Sequence, residues 1–97
     1  MSFDVVIRGV VEKIIDQQLT EENLALMHTL FESLRPAVKN REDAIFGYII
    51  GWTSASILQT IVIILKRNPT QEEYQEIVNA LHTRILTIKS RIHETFT

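Results

Sequence analysis

From Ala44 to Leu65 the chain runs for twenty-two residues without a charged side chain, bracketed by Arg41-Glu42-Asp43 before it and Lys66-Arg67 after it. A helix of that length crosses the ~30 Å hydrocarbon core of a bilayer, and the same stretch equally serves as the buried centre of a helical bundle. Every other segment has to accommodate it. A fully enclosed helix of this kind would use most of the core that 97 residues can build, so self-association is expected.

The rest of the composition narrows the class. With 45% hydrophobic and 23% charged residues, three Gly and two Pro, the chain is ordered and globular, far from low-complexity sequence. It has no cysteine, which removes disulfides, thiolate metal sites and Cys nucleophiles and suits a reducing compartment. The formal charge of −2 sets up no global field for nucleic acid, and the opening Met-Ser-Phe-Asp-Val lacks the basic segment of a signal peptide. The expected location is the cytoplasm.

Helical periodicity fills the chain in four stretches with short punctuation and no internal repeat. The first is expected over about 3–18, with Phe3, Val6, Ile7, Val10, Val11 and Ile14 on one side and Arg8, Glu12 and Asp16 on the other. Thr20 reads as an N-cap followed by Glu21 and Glu22, with Leu19 stapling onto Leu24, and opens a second helix to about residue 35. Its apolar stripe is Leu24, Met27, Leu30, Phe31 and Leu34, and Pro36 stops it. Asn40 caps a third helix over about 41–67. Thr70 and Glu73 form a capping box for a fourth over about 71–95, whose positions Tyr74, Val78, Leu81, Ile85, Ile88 and Ile92 alternate four and three apart as one seam. The expected fold is an all-α, four-helix bundle-like single domain, dimeric, with a long hydrophobic central helix.

Helical projection of the central run separates two faces. Glu42, Ile49, Thr53, Ser56, Thr60 and Arg67 fall in one narrow stripe with Gln59 nearby. Such a stripe is of no use against lipid, so a soluble helix packed on three sides, with this edge toward water, is the expected arrangement. Gly47, Gly51 and Ala55 recur every four residues on a different face and let a second backbone approach closely. With Leu58 and Val62 they make the expected self-association interface, Gly51 sitting at a helix crossing.

Candidate chemistry is sparse. Glu72-Glu73-Tyr74-Gln75-Glu76 resembles the first acidic motif of the helical nucleotide pyrophosphohydrolases, but the downstream Glu-x-x-Asp is missing, because Glu94 is the only acid after Glu76. Acids in the first turn of a capped helix complement its dipole. Trp52 resembles the Trp of small secreted hairpin dimers with a Trp-x-Gly turn, but Ser54 stands where that glycine would be. Glu12 and Asp16, one turn apart, have the spacing to hold a cation and equally form a solvated face. His28, His82 and His93 all lack the Glu three residues earlier that di-iron bundles use. His28, one turn before Glu32, is expected at the rim of its helix in an ordinary surface hydrogen bond. Ser54, Ser56 and Thr53 lie mid-helix, and no Gly-rich phosphate loop exists. Neither a catalytic residue nor a metal or cofactor ligand is expected. Glu12, Asp16, His28 and Glu32 are the residues to inspect for a site assembled from distant positions.

The last helix carries a short basic stretch, with His82, Arg84, Lys89, Arg91 and His93 and no acid among them. Flanking an apolar seam, Arg84, Lys89 and Arg91 are placed to meet acids of the early helices, of a copy, or of another protein. The functional reading is a non-enzymatic helical interaction or assembly module that self-associates through its third helix. The alternatives are a small membrane-associated protein spanning at 44–65 and a weak nucleic-acid binder using the last helix.

Overall fold

A computed structural model describes residues 3–95 and consists of five helices: α1 (Phe3–Gln18), α2 (Glu21–Ser33), α3 (Arg41–Leu65), α4 (Gln71–His82) and α5 (Ile85–Glu94). No strand occurs among the described residues. Three of the helices start on side-chain caps. The oxygens of Thr20, Asn40 and Thr70 accept the amides of Asn23, Asp43 and Glu73 at 3.3, 3.0 and 3.2 Å, which satisfies a donor that a helix start otherwise leaves unpaired. At Thr70 the box is closed by the Glu73 carboxylate, which accepts the Thr70 amide at 2.7 Å. The same carboxylate grips Arg67 through two bonds of 2.8 and 3.2 Å. That guanidinium, aided by the Thr70 amide, pulls Glu73 from its ordinary value of 4.5 down to about 2.

The helix ends differ from the sequence expectation in three places. α2 stops at Ser33, two residues earlier, where Leu34 and Arg35 bond back to Phe31 and Glu32 ahead of Pro36. α3 stops at Leu65 because Lys66 takes a left-handed conformation, φ 58°, and its amide closes on the Val62 carbonyl at 2.8 Å. The stretch expected as one helix over 71–95 is two. The Thr83 hydroxyl donates to the Ala80 carbonyl at 2.7 Å and the Arg84 amide tightens to the Leu81 carbonyl at 3.0 Å, so the chain turns at Thr83-Arg84.

That break lets the last segment serve two neighbours. α3 packs against α1, α2 and α5, whereas α4 packs against α1. The expected continuous seam is therefore split: α4 buries Ile77 and Leu81, α5 buries Ile88 and Ile92, and Tyr74 and Val78 are exposed. In α1 the buried residues are Ile7, Val11, Ile14 and Ile15; the Phe3 side chain, expected in this stripe, lies outside the described residues.

The core of α3 also corrects the projection. Ile45, Ile49, Thr53, Ile57 and Ile61, one every four residues, are all fully buried. The stripe expected toward water therefore turns inward at Ile49 and Thr53, while Ser56 and Thr60 are half-buried. The physical reason is shape. Thr carries the branched outline of Val and fits a row of Ile, so the packing follows volume and leaves the hydroxyl to be accommodated. Ser54 and Thr60 return their hydroxyls to the carbonyls four residues back at 2.6 and 2.8 Å, but the Thr53 oxygen has no partner among the described residues.

The molecule extends 43 × 23 × 19 Å with a radius of gyration of 14.7 Å. A close-packed chain of this length has a radius of about 12.5 Å. The accessible surface is 6393 Å², against about 5,700 Å² for a compact monomer of 11.2 kDa, an excess of about 700 Å². Removing the unpaired hydroxyl in Thr53→Val eliminates a desolvated polar group while keeping the shape. The variant is expected to match or exceed the parent by about 1 kcal/mol in urea unfolding.

Candidate functional site

The small-residue row of α3 faces outward. Gly47, Gly51 and Ala55 are exposed, and a Cβ added at either glycine would meet nothing within 4 Å. Among the described residues, no helix of the same chain crosses α3 at Gly51. The exposed row continues four residues at a time through Gln59 to Ile63, which is 68% exposed. Leu58 and Val62, expected in the same interface, lie on the adjoining row and are half-buried, Leu58 packing on the core. Gly9 on α1 is open as well, but it shares its row with Lys13 and no aromatic residue follows it in the next position.

Beside the glycines stand two aromatic side chains that the sequence reading did not assign to this face. Tyr48 and Trp52 are each 44% exposed, one turn apart on α3. Phe31 of α2 meets Tyr48 edge to face, centroids 6.0 Å apart at 66°, and links the two helices. Leu30 and Leu34, also exposed, lie on the flank of α2 away from His28. Leu30 and Leu34, expected in the apolar stripe of α2, remain 49% and 43% exposed.

His28 is a second correction. It is 1% exposed, not at a rim, because it falls on the apolar side of α2 between Leu24 and Phe31. Its Nε2–H donates to the Ile92 carbonyl at 3.0 Å; a carbonyl only accepts, so the ring proton is on Nε2. Burial pushes its pKa below 6.5, opposed by the Ile92 hydrogen bond and assisted by the charge of Arg41. The bond staples α2 to α5.

The four residues singled out for a composite site fall in two separate places. Glu12 and Asp16 of α1 are both held by Arg84, Asp16 at 3.3 Å, and Glu12 lines an open groove of about 530 Å³ with Arg8, Glu76 and Asn79. His28 and Glu32 border a shallow hollow beside Arg41, whose guanidinium reaches Glu32 at 3.0 Å. No group of three or more His, Asp or Glu able to hold a metal occurs among the described residues.

The basic stretch of the last helix contacts its own chain. Arg84 meets Glu12 and Asp16, Arg91 donates to the Leu19 carbonyl at 2.8 Å, and the Lys89 ammonium lies 5.1 Å from the centroid of the Phe46 ring. His93 Nδ1–H donates to Glu42 at 3.0 Å. These contacts join α5 and the break before it to α1 and α3. No protein-family model, curated protein or solved structure matches the chain.

Two measurements follow from this geometry. Because His28 is held neutral in the fold while its unfolded pKa is 6.5, its contribution to stability is complete above pH 6.5 and is lost as pH falls below it. His28→Gln keeps a donor and does not titrate, so its urea midpoint is expected to fall less than the parent's between pH 7.5 and 5.5. Gly51→Ala adds a methyl into open space and removes the helical cost of glycine. It is expected to raise the stability of dilute protein by roughly 0.5–1 kcal/mol in thermal or urea unfolding.

Proposed function

We propose that the chain is a non-enzymatic, self-associating helical interaction module, bundle-like in its packing, whose contact surface is the outward row of α3. The observation that carries this reading is the pair of interior helical glycines with nothing near them. Gly47 and Gly51 together cost α3 about 1–2 kcal/mol of helix stability relative to alanine, and no contact within the chain requires their small size. A second helix lying on Gly47, Gly51 and Ala55 supplies that requirement. Exposed Tyr48, Trp52 and Ile63 and the excess of accessible surface favour the same reading. Contacts of Arg84, Lys89 and Arg91 within the chain favour a packing role for the basic stretch over nucleic-acid binding. The absence of cysteine suits a cytoplasmic setting.

A membrane reading has one observation in its favour. The best 18-residue window of α3 has a mean hydropathy of 1.8, and only 22% of it is buried by the rest of the chain. An apolar helix so little covered finds cover either in a partner or in lipid.

Light scattering of protein purified without detergent separates the two. The expected result is a mass that doubles with concentration in plain buffer. A constant monomer mass up to the highest attainable concentration would overturn self-association, and recovery from the membrane fraction alone would favour the span at 44–65.

A further inference from the structure

We propose that α5 is an acid-released latch: a proton on the buried ring of His28 undocks α5 as a unit about the Thr83-Arg84 break, while α1 to α4 keep their packing. The device is independent of what covers α3. His28 is 1% exposed and its Nε2–H donates to the Ile92 carbonyl at 3.0 Å, so the ring lies where α2 and α5 meet. A neutral imidazole suits that place. An imidazolium keeps the same hydrogen bond and strengthens it, so the bond itself does not fail on protonation. What fails is the burial, because a charge taken out of water is costly unless it is paired. Desolvation outweighs the bond to Ile92.

The charged groups around the ring do not compensate. On α2, Glu32 borders the same hollow but already holds Arg35 and Arg41 at 3.2 and 3.0 Å. From α3, Arg41 adds a like charge that outweighs the opposite charge of Glu42. On α5, Lys89 lies over the Phe46 ring, Arg91 reaches the Leu19 carbonyl, and His93 donates to Glu42 at 3.0 Å. A proton on His93 tightens that last pair and so pulls the other way. Both of its partners are exposed, where an ion pair contributes little.

Water reaches the ring more readily by moving α5 than by moving α2 or α3. α5 buries two side chains, Ile88 and Ile92, and begins without a side-chain cap. α2 starts on the Thr20 cap and is linked to α3 through Phe31 and Tyr48, and α3 buries five side chains. The break gives α5 a pivot. Arg84, held by Glu12 and Asp16, anchors that pivot to α1.

Hydrogen exchange, read amide by amide on the whole chain and corrected for the intrinsic effect of pH, tests the latch without any substitution. The opening is smaller than global unfolding, so amides of residues 85–94 are expected to be less protected than those of α1 and α3 and to respond little to low urea. The latch is closed above pH 6.5, the ring's ordinary value, and loosens below it. Uptake of one proton raises the opening constant by up to about tenfold between pH 7.5 and 5.5, so protection of α5 is expected to fall by roughly threefold to tenfold. His28→Gln is expected to level that profile, and His93→Gln to leave it sloping. Protection of α5 that stays level with pH in the parent would overturn the latch. So would protection and urea response shared with α1 and α3, because α5 then opens only with the whole chain. A slope that survives in His28→Gln, or vanishes in His93→Gln, would overturn the role of His28.

Discussion

The structure depends on covering one side of α3. Ile45, Ile49, Thr53, Ile57 and Ile61 form a row that drifts around the helix as it advances, and α1, α2 and α5 follow it. Each isoleucine taken out of water contributes roughly 1.5–3 kcal/mol, so this row supplies much of the driving force for the fold. The same geometry leaves the opposite row uncovered. Three neighbours of 10 to 16 residues cannot enclose a helix of 25, and the elongated shape records that shortfall.

Much of this was legible locally. Thr20, Asn40 and Thr70 are cap residues whose side chains act on amides three positions away, and such short-range chemistry is written directly in sequence. The stripe of α1 and the open glycine row of α3 follow from periodicity in the same way. What was not legible depends on partners distant in sequence. The hydroxyl of Thr53 suggests a stripe toward water, but its packing is decided by its branched shape and it is fully buried. His28 was assigned to a rim, yet its position between Leu24 and Phe31 puts it on the buried side, and its hydrogen-bond acceptor lies sixty-four residues further along. The break at Thr83-Arg84 has no Gly or Pro to announce it. It arises where α4 stays with α1 while α5 moves across to α3.

The polar residues that first draw attention as chemistry are occupied with holding helices together. Arg84 takes up Glu12 and Asp16, the nearest thing to a cation site, and the buried imidazole of His28 acts as a donor to a carbonyl. Lys89 and Arg91 lie on a ring and on the backbone end of α1. Exposed apolar side chains remain on every helix: Val5 on α1, Leu26 and Leu30 on α2, Trp52 and Ile63 on α3, Tyr74 and Val78 on α4, and Leu86 on α5.

The staples from the C-terminal helix have a consequence for how the chain acquires its fold. His28 waits for a carbonyl of residue 92, Leu19 for a guanidinium of residue 91, and Glu42 for a ring of residue 93. During synthesis the first three helices therefore emerge with a polar group on the apolar side of α2 unsatisfied and the flank of α3 at Phe46 uncovered. Closure therefore waits for residues 91–93, through contacts far apart in sequence. Until α5 docks, the paired α2 and α3 lack the cover that Ile88 and Ile92 supply, and that apolar surface is open to contacts other than the native one.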